Sequence, residues 1–213
     1  MRIGVFDSGI GGEFVAATLR KLIYNAEIVT VSDHEHVPYG SRKPSEIIRL
    51  TKNAIKPLLD IDCNAIVIAC NTATTVAISS LRKSYPKINF IGIEPMIKPA
   101  AKITKTNCIA VCATPGTLKS EKYSELKNIW TKNIKVIEPD CSKWAELIEN
   151  GESNKININS VVESLLAEKV DVIVLGCTHF HWLKKRVVKV VGPLVIVLEP
   201  SDAIVSRTKS LFS

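Results

Sequence analysis

The sequence predicts an α/β protein of two similar lobes, each a mainly parallel sheet flanked by helices, with the lobes related by a pseudo-two-fold axis. Three observations predict it. Short apolar runs alternate with helical periodicity along the whole chain, which is the βα signature of parallel sheets. The runs are rich in Val and Ile without polar alternation, as in strands buried on both faces. The chain also repeats itself. RIGVFDSGIGG opens one half and CIAVCATPGT the other, and each is followed by an apolar run ending in a cysteine, AIVIACNTAT (65–74) and VIVLGCTHF (172–180). Asp7 precedes Cys70 by the same interval, within one residue, as Ala113 precedes Cys177. The lobes are expected at 1–93 plus 199–213, and at 94–198.

Taken in order, 2–6 reads as a strand and 12–23 as a helix that starts from the glycine-rich turn. A strand at 27–32 precedes a helix at 44–59, with Pro44 in its first turn and Ser41 or Lys43 near its cap. A strand at 65–69, a helix at 73–85, a strand at 89–93 and a helix at 95–103 complete the first half. The second half reads strand 107–112, helix 117–130, strand 135–138, helices 142–150 and 160–168, strand 172–176, helix 179–190 and strand 194–198. A helix at 202–211 closes the chain.

Composition narrows the function classes. A hydrophobic share of 46% with 23% charged residues describes a soluble globular chain that buries a core without disulfides or a metal. The formal charge of +7 is spread over the chain, and its densest cluster is Lys184, Lys185, Arg186 and Lys189. No run reaches the five or six like charges of a nucleic-acid tail, so a solvated basic face is expected, one that would also attract a small dicarboxylate. No apolar run approaches the ~20 residues that span a bilayer. Asp7 and a glycine-rich turn stand where a signal peptide would carry its apolar core, so a cytoplasmic protein is expected. The six cysteines are therefore reduced, and serve chemistry, metal or packing. Cys108 and Cys112, four apart on one strand, would be ~13 Å apart. That is too far to share a zinc, whose bonds to sulfur are ~2.3 Å. With no CxxC pair, no metal is expected. Cys63 and Cys108 read as small packing residues.

Ligands bind parallel sheets outside the carboxyl ends of the strands, where Cys70 and Cys177 both stand. Each would sit at a helix N-terminus, where free N–H groups and the helix dipole favour a thiolate. The Asn and Thr that follow can cap the helix or donate to an anion. Two opposed thiols suit inversion of a carbon stereocentre, one removing a proton and the other returning one to the opposite face of the planar carbanion. A single such cysteine is as readily a packing residue, but two at matched positions of a repeat favour chemistry. Asp7 also reads as a helix-cap acid, though a cap alone does not need the whole of DSGIGG. The glycines fit neither GxGxxG nor GxxxxGK[ST]. His34, His36 and His181 read as surface or packing residues, and His179 stands out only through its neighbour Cys177.

FDSGIGG (6–12), PYG (38–40), CNTAT (70–74), IGIEP (91–95), TPGT (114–117) and LGCTHF (175–180) occur in the order seen in glutamate racemases of the cofactor-independent aspartate/glutamate racemase superfamily. The chain resembles that family from Arg2 to about Arg207. The resemblance implies that Cys70 and Cys177 are the paired proton donor and acceptor, assisted by Asp7, His179 and Glu149. It also implies that Asp7, Ser8, Tyr39, Gly40, Asn71, Thr72, Thr114, Thr117, Thr178 and His179 bind substrate. Relatives that act on aspartate usually lack the FDSG opening and carry CTE, so Asp7 and His179 favour glutamate. The implied product is D-glutamate for peptidoglycan in a bacterial cytoplasm, made without pyridoxal phosphate, other cofactor or metal by an expected homodimer with no membrane or nucleic-acid partner.

This sequence departs from the family at Phe180-His181, where Tyr-Pro is frequent, and at Cys141-Ser142, where Cys-Pro is usual. It also departs at Glu146 and at Glu13-Phe14. It ends at Ser213, whereas relatives commonly run on into a tail that packs on the first lobe. Two other readings remain at this level. One is an aspartate, other amino-acid or hydantoin racemase of the same fold, and the other a racemase-like protein that binds a partner through its basic face.

Overall fold

The computed structural model describes residues 1–211; residues 212 and 213, part of the expected first lobe, lie outside the described residues. The first half contains β1 (Arg2–Asp7), α1 (Gly11–Leu22), β2 (Glu27–Ser32), α2 (Pro44–Ala54), α3 (Lys56–Asp60), β3 (Ala65–Ile68), α4 (Asn71–Ser84) and β4 (Asn89–Gly92). It is followed by α5 (Ile97–Ile103), β5 (Cys108–Cys112), α6 (Pro115–Leu118), α7 (Glu121–Trp130), β6 (Lys135–Ile137), α8 (Trp144–Glu149), α9 (Ile158–Ala167), β7 (Val172–Leu175), α10 (His181–Val191), β8 (Ile196–Leu198) and α11 (Ser201–Lys209). Short 3₁₀ turns cover His34–His36, Tyr39–Ser41, Ser153–Lys155 and Thr178–Phe180. Among the described residues no helix is long and apolar enough to cross a membrane.

The chain divides into two compact units, Met1–Glu94 with the segment from Pro200, and Pro95–Glu199. Each is built on a four-stranded parallel sheet, and the strand orders are the same: β2-β1-β3-β4 in the first and β6-β5-β7-β8 in the second. The inner strands β3, β5 and β7 are buried along their whole length, as is β1 beyond Arg2, whereas the edge strands β2, β4, β6 and β8 are partly exposed. That is why the inner strands read as unbroken apolar runs.

Strand alternation assigns the core of the first unit to two layers. Phe6, Ile66 and Ile68 pack with Ile47, Leu50, Ile55, Leu58, Ile78 and Leu81 of the α2–α4 side. Ile3, Val5, Ala65 and Val67 pack on the other side with Val15, Ala16 and Leu19 of α1 and with Ile204 and Val205 of α11. In the second unit Ile109, Val111, Val172 and Val174 pack with Ile97 and Ala100 of α5 and Tyr123 of α7. Each such aliphatic side chain, fully buried, contributes ~1.5–3 kcal/mol.

Several boundaries differ from the sequence expectation, each for a local reason. The helix expected at 44–59 is two helices, because Pro57 has no N–H to continue the ladder and instead stands in the first turn of α3. Lys43 is the N-cap of α2, as expected, but makes no capping bond through its side chain. The helix expected at 117–130 is also two. Thr114 accepts from the Thr117 N–H to cap α6, and Ser120 then accepts from the Tyr123 N–H at 3.2 Å to start α7. The helix expected from 73 begins at Asn71, and the one expected from 179 begins at His181 after a 3₁₀ turn. The strand expected at 194–198 shortens to Ile196–Leu198, since Leu194 is solvent-exposed.

Asp171 ties the entry of β7 to the loop before β5. Its carboxylate accepts from the Thr104 hydroxyl at 2.6 Å and from the backbone N–H groups of Lys105 and Thr106 at 2.6 and 3.0 Å. Burial opposes ionisation, but these bonds prevail and hold the carboxyl below its ordinary value. A depressed native value stabilises the fold above the unfolded pKa of ~3.9, and that contribution disappears as pH falls through the native value. Asp171→Ala is therefore expected to lower the unfolding free energy at pH 7 by about 1 kcal/mol, read from the urea midpoint. The gap to the wild type should close as the pH drops below about 4.

Candidate active site

In the first unit the site begins with strand register. β1 pairs with β3 so that Phe6 stands opposite Ile68, and the Ala69 N–H donates to the Phe6 carbonyl at 2.7 Å. Asp7 and Ser8 therefore leave the sheet beside Cys70. Asp7 is 1% exposed, and its Oδ1 accepts from the Gly9 N–H at 2.8 Å. A side chain at Gly12, the second residue of α1, would run into the Asp7 Cβ, so the glycine lets the helix start directly over this carboxylate.

Cys70 lies two residues past β3 and is itself the N-cap of α4. Its sulfur accepts from the Ala73 N–H and from the Ser8 hydroxyl, both at 3.4 Å. The sequence expectation gave the capping role to Asn71 and Thr72, but they occupy the first turn of the helix. Asn71 is 2% exposed, and both polar atoms of its amide are buried without a hydrogen-bond partner. An orphaned buried amide costs ~1–3 kcal/mol, and in a strand-end site it marks a place for a ligand. Thr72 is buried beside it. Thr74, in contrast, bonds the Ile68 carbonyl and the Ile93 N–H and is structural. Tyr39 is buried and Gly40 half-buried in the turn that precedes α2.

The second unit repeats the plan with different side chains. Cys112 stands opposite Leu175, and the Gly176 N–H donates to the Cys112 carbonyl at 2.8 Å. A Cβ at Gly176 would lie 3.3 Å from that carbonyl oxygen and from the Ala113 Cβ, so the two strand ends approach closely. Thr114 and Thr117, both buried, bond each other at 3.1 Å in the turn after β5. Cys177 lies two residues past β7, as Cys70 does past β3. It precedes a 3₁₀ turn rather than an α-helix and makes no capping bond through its sulfur. The dipole expected to favour its thiolate is thus that of a single turn.

What Cys177 has instead is His179. The sulfur lies 3.7 Å from His179 Nδ1, and His179 Nε2 pairs with Glu149 Oε1 at the end of α8. Both side chains are nearly inaccessible, at 4% and 12% exposure. In the neutral ring an Nε2–H that donates to the Glu149 carboxylate leaves the Nδ1 lone pair facing the thiol. That arrangement can accept the thiol proton and return it. Thr178 is buried next to the cysteine. Trp144 meets Phe180 edge-on, with centroids 5.2 Å apart, which anchors α8 against this turn.

His181 and the other cysteines have partners of their own. His181 Nδ1 donates to the Thr178 carbonyl at 2.7 Å and its ring lies on Trp182. Burial lowers its pKa. A hydrogen bond with Cys112, together with burial, pushes the Cys141 thiol up, and burial does the same for Cys63 and Cys108. The basic cluster on α10 is partly committed. Lys184 pairs with Glu199 at 3.4 Å, and Arg186 donates to the Ser153 and Ile156 carbonyls at 2.6 and 2.8 Å. Motif and spacing leave Asp33 unremarked, yet it accepts a hydrogen bond from Tyr39 at 2.6 Å. The only signal for it was a carboxylate six residues ahead of that tyrosine in one loop.

A family model described as Asp/Glu/Hydantoin racemase matches residues 13–208. A glutamate racemase from Sulfurovum sp. (strain NBC37-1) is 38% identical over 218 residues, covering 99% of this chain and 82% of the relative. The crystal structure of Escherichia coli glutamate racemase in complex with L-glutamate and the activator UDP-MurNAc-ala aligns with a TM-score of 0.86 at 27% identity, over 99% of this chain and 81% of that one. A glutamate racemase from Francisella tularensis in complex with D-glutamate aligns with a TM-score of 0.82 at 28% identity, over 99% and 80%.

The Glu149–His179 pair makes a spectroscopic prediction. Nitrogen-15 spectra of the neutral His179 ring should show the Nε2–H tautomer in the wild type. Glu149→Ala should return it toward the tautomer mixture of a free imidazole, with the fold retained.

Proposed function

The chain belongs to the Asp/Glu/hydantoin racemase family, and from that premise we propose that it interconverts L- and D-glutamate by two-base proton transfer between Cys70 and Cys177. One observation carries the reading: a buried thiol stands two residues past the equivalent inner strand of each sheet, and each has its own proton-handling partners. Ser8 and the Ala73 N–H solvate the Cys70 sulfur. His179, oriented by Glu149, serves Cys177.

In the proposed reaction one cysteine, as thiolate, takes the Cα proton and becomes a thiol. The Cα–H electron pair remains on carbon as a planar carbanion, and the other cysteine, as thiol, delivers a proton to the opposite face and is left as thiolate. The enzyme then stands ready for the reverse direction, and no electron or group is exchanged with a cofactor. Asp7 assists proton movement at Cys70. The buried amide of Asn71, with Ser8, Thr72, Thr114, Thr117 and Thr178, supplies donors to the substrate carboxylates, and the Tyr39-Gly40 turn forms a further wall. Glutamate is favoured as substrate because the relatives named above are glutamate racemases and because the FDSG opening and the CTH motif are both present. The product would supply D-glutamate to peptidoglycan in a bacterial cytoplasm, from a homodimer.

The test is exchange of the Cα proton in deuterium oxide, followed by proton NMR for each glutamate enantiomer and by circular dichroism for racemisation. Cys70→Ser and Cys177→Ser should each lower racemisation by roughly 10²–10⁴-fold. One variant should retain exchange chiefly with one enantiomer and the other with its mirror image. Unchanged racemisation in either variant would overturn the two-base reading, and loss of optical signal with aspartate but not glutamate would overturn the substrate. Asn71→Ala should raise KM for glutamate by roughly tenfold. It should leave thermal stability near that of the wild type, since it deletes two polar atoms that the fold leaves unpaired.

A further inference from the structure

The loop from β2 to α2 holds a side-chain chain that the two-thiol mechanism does not use. Asp33 follows β2 directly, and its N–H donates to the carbonyl of Asp7 at 3.3 Å, so it leaves the sheet alongside the first half-site. Its carboxylate is 12% exposed and engaged on both oxygens. Oδ2 accepts from the Tyr39 hydroxyl at 2.6 Å, and Oδ1 lies 2.7 Å from His36 Nδ1. The loop is pinned from outside as well. Arg42 Nε donates to the His36 carbonyl at 2.7 Å, and its Nη1 reaches Glu46 of α2 at 2.5 Å.

Tyr39 is 1% exposed, with its ring tilted against Phe6 at 6.3 Å between centroids. Burial first, and then the hydrogen bond and negative charge of Asp33, hold the phenol far above its ordinary range, so it keeps its proton. A phenol has one proton to donate. Here that proton goes to Asp33, so the hydroxyl is not a donor to a bound carboxylate. What the turn can offer a ligand is its ring face and its backbone at Tyr39 and Gly40, and both depend on where the side chain is anchored.

We propose that Asp33 is a positioning residue for substrate binding: held by His36 on one oxygen, it grips the Tyr39 hydroxyl with the other and so fixes the Tyr39-Gly40 turn against which glutamate is bound. The proposal rests on the racemase reading and adds to it a residue that never touches substrate. Tyr39 thus acts through its fixed position rather than through its hydroxyl proton.

The experiment is steady-state racemisation of glutamate by the wild type, Asp33→Asn, Tyr39→Phe and the double variant. Each single variant should raise KM by roughly tenfold and change kcat by less than about threefold, because a mobile turn weakens binding without touching the proton-transferring groups. In the double variant the penalties should not multiply, since both substitutions cut the same contact. Partial unfolding would lower the active fraction, and with it kcat, but not KM, so the split separates positioning from a merely structural role. Tyr39→Phe keeps the buried ring against Phe6 and carries the same test should Asp33→Asn fold poorly. An unchanged KM in Tyr39→Phe overturns the proposal, and so do penalties that multiply. A wild type that does not racemise glutamate overturns the parent reading instead, and is seen before any variant is measured.

Discussion

The register between neighbouring inner strands is the constraint on which both half-sites depend. Phe6 opposite Ile68 brings the Asp7-Ser8 turn next to Cys70, and Cys112 opposite Leu175 brings Ala113-Thr114 next to Gly176-Cys177. A slip of one residue in either pair would exchange the two faces of the strand, moving buried Ile and Val side chains out of their layers. The same packing that holds the core therefore holds the two cysteine turns in place. Glycines permit the close approach at Gly12 over Asp7 and at Gly176 against the end of β5.

Equal topology does not mean equal chemistry. Cys70 accepts hydrogen bonds from a hydroxyl and a backbone N–H, donors that stabilise a thiolate. Cys177 is served by an imidazole that a carboxylate orients, a group that can both take and give a proton. The two strand-end thiols thus stand in different environments.

Among the described residues, buried polar side chains of the first unit follow one rule with one exception. Asp33, Tyr39 and Thr74 are buried or nearly so and have their partners. Asn71 is buried and has none. Because an unpaired amide is costly, this exception points to function, whereas the satisfied groups around it provide the rigidity that keeps such a site from collapsing.

The order of strands and helices, the repeat and the two thiols were legible in the sequence, because a buried parallel strand must be apolar throughout and its end is marked by the first small polar residues. Cys70, Cys177, Asp7 and His179 stood at such ends. Glu149 could be reached only by resemblance, since thirty positions of chain separate it from His179 and only the packing of α8 on the Thr178–Phe180 turn brings them together. The sequence also misplaced the cap of α4, because a cysteine sulfur is a poor cap by propensity and takes the role only when Ser8 and Ala73 converge on it. The sequence does not single out Asp33 and reads His36 as a surface or packing residue, since their contacts around Tyr39 form only in the folded loop. What the chain determined by itself was set by local periodicity and the demand that strands be buried. What tertiary structure decided was which side chains, distant in sequence, share a proton.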